Sequence, residues 1–179
     1  MTKRVYIVTH GDKETGANPN MTPVGFSQVQ ALQNRLPSQP SMVLVGTGRR
    51  HLDVATALGY ITCHRSVRLR HPDTRFTPVV GGPESLEKIK GEDLILLADG
   101  ATLPRNLYTG TEDGAQSMIQ LLLTLPDNSV ICAGRPSMIL LGKKDAKSAA
   151  VYRVTVNNGD GVFHIAEVVA TGVSEPRTV

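Results

Sequence analysis

A chain of 179 residues with 40% hydrophobic and 20% charged side chains has the size of one domain and the composition of a folded protein rather than a disordered one. Its net charge of +3 and pI near 9.0 suit a small anionic ligand; 4% aromatics and no Trp leave little for bases to stack on, which weighs against nucleic acid. No apolar run approaches a membrane span, MTKRVYIVTHG lacks a leader-length apolar core, and Cys63 and Cys132 form no CxxC pair, so we expect a cytoplasmic protein with inert thiols and no metal or organic cofactor.

Residues 4–9 (RVYIVT) read as a short buried strand that Gly11 ends, and 10–21 as a polar loop. In MTPVGFSQVQALQNRLP, Thr22 is a good N-cap and Pro23 suits the first helical position. Val24, Phe26, Val29, Leu32 and Leu36 recur at roughly helical spacing until Pro37 closes the segment. SMVLVGTG (41–48) is a second buried strand. RRHLDVATALG follows as a short helix with Leu52, Ala55 and Leu58 inward and Gly59 at its end. The order β-loop-α-β-loop-α predicts an α/β fold in which helices cover both faces of a mostly parallel central sheet, a three-layer sandwich.

In the middle, SVRLR (66–70) alternates like an edge strand, RFTPVVGG reads as an extended piece, and PESLEKIKG as one or two helical turns. EDLILLADG (92–100) fits helix or strand, which periodicity does not separate. Residues 111–126 read as a helix with acidic residues at its start and a proline stop, and 128–135 as a third buried strand. AAVYRVTVNNGDGVFHIAEVV is a C-terminal β-hairpin around Asn-Asn-Gly-Asp-Gly, with His164 on its exposed side. We expect one domain over 1–172 and a frayed tail over 173–179.

In an open α/β sheet, ligands bind beyond the carboxyl ends of the parallel strands. Three strands end in suggestive loops: THG (9–11), GTGRRH (46–51) and CAGRP (132–136). If those strands are neighbours, the loops bring His10, Arg49 or Arg50, and Arg135 into one pocket. Arg50 stands at a helix N-terminus, where free N–H groups favour an anion. Histidine, guanidinium and helix start together describe a phosphate site.

These residues resemble the histidine phosphatase superfamily, in its phosphoglycerate mutase-like branch. VYIVTHG is similar to that family's strand followed by Arg-His-Gly. MTPVGFSQVQALQNRL resembles its Leu-Thr-x-x-Gly-x-x-Gln-Ala helix, and MVLVGTGRRHLDVATALG its strand followed by Arg-Ala-x-x-Thr-Ala. The resemblance implies a phosphohistidine mechanism, with His10 as nucleophile, Gly11 as its close-packed neighbour and Arg50 as a phosphate ligand. Glu84 in GGPESL is then a candidate proton donor, and a phosphorylated small molecule or inorganic phosphate the partner.

Two positions depart from the pattern. Thr9 stands where the family has arginine, and Ala133 where it has a second histidine. Removing one donor from such a site costs about 10²–10³ in rate. Arg49 or His51 beside Arg50, and Arg135 two residues after Ala133, are the nearby candidates to replace the lost groups.

Other readings stay open for several residues. Glu84 also fits a first-turn helix carboxylate and Asp12 an exposed loop aspartate. The cluster HRSVRLRHPDTR (64–75), with four arginines and two histidines, fits a solvated strand face, or an RNA contact whose retention would depend strongly on salt. The functional expectation is a phosphate-binding protein of this fold with weak or lost phosphomonoesterase activity; the alternative is a non-catalytic relative that binds a phosphorylated ligand or a protein.

Overall fold

A computed structural model describes residues 2–16, 19–45, 49–60, 68–69, 95–97, 114–135, 138, 141–157 and 159–170. The elements are β1 (Thr2–Val8), α1 (Pro23–Gln30), a 3₁₀ turn (Gln33–Arg35), β2 (Val43–Val45), α2 (Arg49–Ala57), β3 (Arg68–Leu69), β4 (Ile95–Leu97), α3 (Gly114–Thr124), β5 (Ser129–Cys132), β6 (Ala150–Asn157) and β7 (Phe163–Ala170). The strands form one mixed sheet in the order β3-β4-β2-β5-β1-β6-β7.

The parallel expectation holds at the centre of this sheet, where β2, β5 and β1 run together. Outward of these three, every pairing is antiparallel: β4 on β2, β3 on β4, β6 on β1 and β7 on β6. A short loop can join β6 to β7 only as a hairpin, which is necessarily antiparallel. The segment 92–100, ambiguous by period, supplies a strand. SVRLR supplies a two-residue edge strand, as its alternation suggested.

Alternation along the central strands divides the core in two. Val5, Ile7, Leu44 and Ile131 join one cluster with Leu121, Leu122 and Leu125 from α3 and its end. Val8, Val43, Val45, Val130 and Cys132 join another with Val29, Leu32, Leu52, Val54, Ala55 and Leu58 from α1, α2 and the residues after them. Cys132 is fully buried, and burial raises its thiol pKa; Cys63 lies outside the described residues.

The first helix is shorter than its apolar spacing predicts. Thr22 caps it as expected, accepting from Gly25 N at 3.0 Å, with Pro23 at the first position. The helix stops at Gln30, and the chain tightens into the 3₁₀ turn. Its buried face is Gly25, Val29 and Leu32, so Val24 turns outward and is 53% exposed. The second helix follows prediction more closely: Leu52, Ala55 and Leu58 are buried, and Gly59 at φ +78° takes the left-handed conformation that ends it.

Lys3 illustrates how β1 is tied to α3. Its buried ammonium donates to the Leu123 and Leu125 carbonyls, both at 2.6 Å, and so satisfies acceptors at the helix C-terminus. Burial lowers its pKa, while Asp127 acts in the opposite sense. Among the described residues no helix is long and apolar enough to cross a membrane. The tail 173–179 and the predicted pieces RFTPVVGG and PESLEKIKG lie outside the described residues.

Candidate phosphate site at the carboxyl ends of the parallel strands

The site begins with register. Val8 of β1 pairs with Cys132 of β5, and Cys132 pairs with Val45 of β2. The last residues of the three parallel strands therefore stand in one row, and the segments that follow all leave from the same edge. His10 comes two residues after β1, and Arg135 three after β5. Arg50 is the second residue of α2, which follows β2.

The His10 loop is held from two sides. At the start of β6, Ala150 O accepts from Thr9 N at 3.0 Å, and Ala149 N, just before the strand, donates to His10 O at 2.8 Å. Thr9 Oγ1 donates to Lys147 O at 2.7 Å and accepts from Ala150 N at 3.0 Å. Thr9 is thus buried and engaged with backbone. Thr9→Val keeps the shape but leaves Ala150 N–H buried without its acceptor. We expect it to cost about 1–3 kcal/mol in urea-induced unfolding.

From α1, the grip falls on Asp12. Thr22 Oγ1 donates to Asp12 Oδ2 at 2.8 Å, Gln28 Oε1 accepts from Asp12 N at 2.9 Å, and Thr22 N donates to Asp12 O at 2.9 Å. Gly25 lies against the same peptide: a Cβ built there would run into Asp12 O. Gly11 faces Gly25 in turn, with room for no side chain between them. Thr22, Gly25 and Gln28, spaced three apart on α1 and its cap, therefore all hold the loop that carries His10. Met21 adds Sδ as acceptor for Gly11 N at 3.2 Å, and the buried Asp53 of α2 accepts from Met21 N at 2.9 Å. Asp12 thus has a structural task, and Asp53 is a tether that the sequence did not reveal.

His10 is part-buried. Its Nδ1 lies 2.8 Å from Gly11 O, which can only accept, so Nδ1 carries the proton and Nε2 keeps the lone pair. Its pKa falls to about 4, chiefly because burial penalises the imidazolium; the Gly11 carbonyl opposes this, and the charges of Arg50, Lys13 and Arg135 reinforce it. At neutral pH the ring is therefore an uncharged base among three cations.

Arg50 is buried on α2. Burial takes the pKa of the fully buried His51 well below the usual histidine range, and the Arg50 charge acts in the same direction. The His51 ring stands 5.8 Å from that of His10, centroid to centroid, at an interplanar angle of 60°. Arg49 is exposed at the first residue of α2; Arg135 is exposed, and its charge is among those that lower the His10 pKa. Lys13 was not singled out in the sequence, although its place three residues after His10 in a short loop was a usable signal. Ala133 is fully buried in the α3-side cluster and donates its N–H to Val8 O at 3.1 Å. Glu84 lies outside the described residues, as do the 64–75 side chains; His164 is exposed on β7. Among the described residues no group of three or more His, Cys, Asp or Glu is placed to hold a metal ion.

No family model matches the chain, and no curated protein matches it in sequence. Solved structures do share its fold. The crystal structure of TTHB049 from Thermus thermophilus aligns at a TM-score of 0.50 and 15% identity, over 95% of this chain and 99% of that one. The crystal structure of phosphoserine phosphatase in complex with 3-phosphoglyceric acid from Entamoeba histolytica aligns at 0.51 and 9% identity, over 96% and 98%. At these identities the likeness is one of mixed α/β fold.

Proposed function

We propose that this chain is a phosphate-binding domain of the phosphoglycerate mutase-like, histidine phosphatase type. On this reading residues 1–172 form a three-layer sandwich with α1 and α2 on one face of the sheet and α3 on the other. The observation that carries the functional reading is the neutral His10, with its Nε2 lone pair, at the level ends of three parallel strands and in the field of Arg50, Lys13 and Arg135. The fold-sharing phosphoserine phosphatase, with its bound 3-phosphoglyceric acid, lends the phosphate reading further support.

In this reading Arg50 and the two further cations hold the non-bridging oxygens of a phosphoryl group, and His10 Nε2 faces phosphorus. Attack forms the N–P bond as the bond to the leaving oxygen breaks. That oxygen takes a proton from an acid, for which Glu84 is the candidate, and water then hydrolyses the phosphohistidine. Positioning and charge stabilisation supply most of the acceleration in such a reaction. Arg49 would contribute only from the rim.

The second reading, a non-catalytic binder of a phosphorylated ligand or protein, is favoured by a specific pair of facts. Thr9 spends its hydroxyl on the β6 backbone, and Ala133 offers only a methyl group in the core. One experiment separates the two. The protein is titrated with inorganic phosphate by calorimetry and assayed with an aryl phosphate, alongside His10→Ala and Arg50→Lys. Turnover that vanishes in His10→Ala establishes the enzyme. Phosphate binding that weakens in Arg50→Lys, without turnover in the parent, establishes the binder. Absence of both in the parent protein rejects the phosphate site.

A further inference from the structure

The His10 carbonyl is held by Ala149 N–H and the preceding residue, Thr9, by Ala150, but a fixed backbone does not fix a ring. Rotation about the last side-chain bond is broad and nearly two-fold for an imidazole. A half-turn exchanges Nδ1 with a carbon and moves Nε2 away from its line. Gly11 O selects one of the two flips by accepting from Nδ1, but a single hydrogen bond leaves the tilt of the ring loose.

The two departures from the family pattern matter here. Thr9 directs its hydroxyl to Lys147 and Ala150, and Ala133 has no polar side chain, so neither braces the His10 ring. Among the described residues, the ring packed against His10 is His51. Its separation of 5.8 Å and angle of 60° fall within the edge-to-face range for aromatic pairs. His51 itself has little freedom. It is fully buried in α2, between Arg50 and Leu52, and the helix is anchored by Val54 and Ala55 in the core.

We propose that His51 is the positioning residue of His10: its buried ring limits the tilt while Gly11 O selects the flip, and together they aim Nε2 at the row of strand ends. Burial keeps His51 uncharged, so it braces the ring without adding a further cation beside it. The inference rests on the phosphate reading for its purpose, but the orientation of His10 is measurable without any ligand.

The test is a histidine ¹H–¹⁵N two-bond correlation spectrum of the full chain, with phosphate titrations in parallel. In the unmodified protein His10 should show a single neutral form protonated at Nδ1. In His51→Ala, or His51→Leu if the cavity prevents folding, the freed tilt takes Nδ1 out of line with Gly11 O, so His10 should show mixed tautomers, and phosphate affinity should fall roughly three- to tenfold. His51→Phe, which restores a flat ring without nitrogen atoms, should recover both. Unchanged His10 resonances in His51→Ala or His51→Leu overturn the proposal, as does a His51→Phe protein as impaired as His51→Leu. Mixed tautomers in the unmodified protein overturn it too. A single His10 tautomer that becomes mixed in His51→Leu, in a protein without phosphate affinity, sinks the phosphate reading alone and supports the positioning role.

Discussion

Gly25→Ala should destabilise the protein by about 3 kcal/mol or more, at the upper end of what overpacking costs. In an ordinary helix the exchange gains about 1 kcal/mol from propensity. Here the added methyl meets the Asp12 carbonyl and lies 2.9 Å from Asp12 N, so backbone meets backbone and no rotamer change makes room. Either α1 moves off the loop or Asp12 gives up its bonds to Thr22 and Gln28. Gly11→Ala should act through the same contact, since its Cβ would come 2.5 Å from Gly25 O. Val24→Ala, one residue away on the exposed side of the helix, should cost less than about 0.5 kcal/mol. Urea midpoints for the three variants measure this. A Gly25→Ala protein as stable as its parent would mean that the His10 loop does not rest on α1.

That contact shows how far the sequence could be read. The Thr-x-x-Gly-x-x-Gln spacing was visible as a pattern, but its purpose was not. Spacing along a helix says which residues share a face, and it does not say that the face receives a loop from earlier in the chain. The same gap explains the overlong first helix. Val24 and Phe26 fit a helical period, yet the close approach of Asp12 makes Gly25 the inward position and turns Val24 to solvent. That three parallel strands end at one edge was inferable because short buried strands ending in glycine are strong local signals. The row of Val8, Cys132 and Val45 then follows from parallel pairing with β5 between β1 and β2.

The polar details of the site were less accessible. That Thr9 is occupied by the start of β6 depends on a partner 141 residues away, beyond the reach of any local pattern. His51 could be noted only as a neighbour of Arg50; its packing against His10 is a tertiary fact. The tautomer of His10 depends on one carbonyl and is invisible in composition or period. Glu84, which fits a proton donor or a first-turn helix carboxylate equally by sequence, falls outside the described residues.

Acidification should be costly because His10 and His51 are held as neutral rings, chiefly by burial and further by the neighbouring cations. His10 has a pKa of about 4 in the folded protein against 6.5 for the free side chain, and His51 is shifted in the same direction. Between those values the unfolded chain binds a proton that the folded chain refuses, so stability falls as pH falls below about 6.5 and stops falling below the folded pKa. At pH 5 the His10 contribution alone corresponds to about 2 kcal/mol of lost stability relative to pH 7.5, with His51 adding to it. Urea unfolding at the two pH values reads this directly, and His10→Asn should flatten the dependence by removing one titrating ring. An anion seated among Arg50, Lys13 and Arg135 would offset the charges that depress the His10 pKa and let the folded protein accept the proton. Inorganic phosphate should therefore reduce the loss at pH 5 in the parent protein more than in Arg50→Lys. A pH profile with no decline between 7.5 and 5 would remove the buried neutral imidazole, and with it the chemical basis of the site.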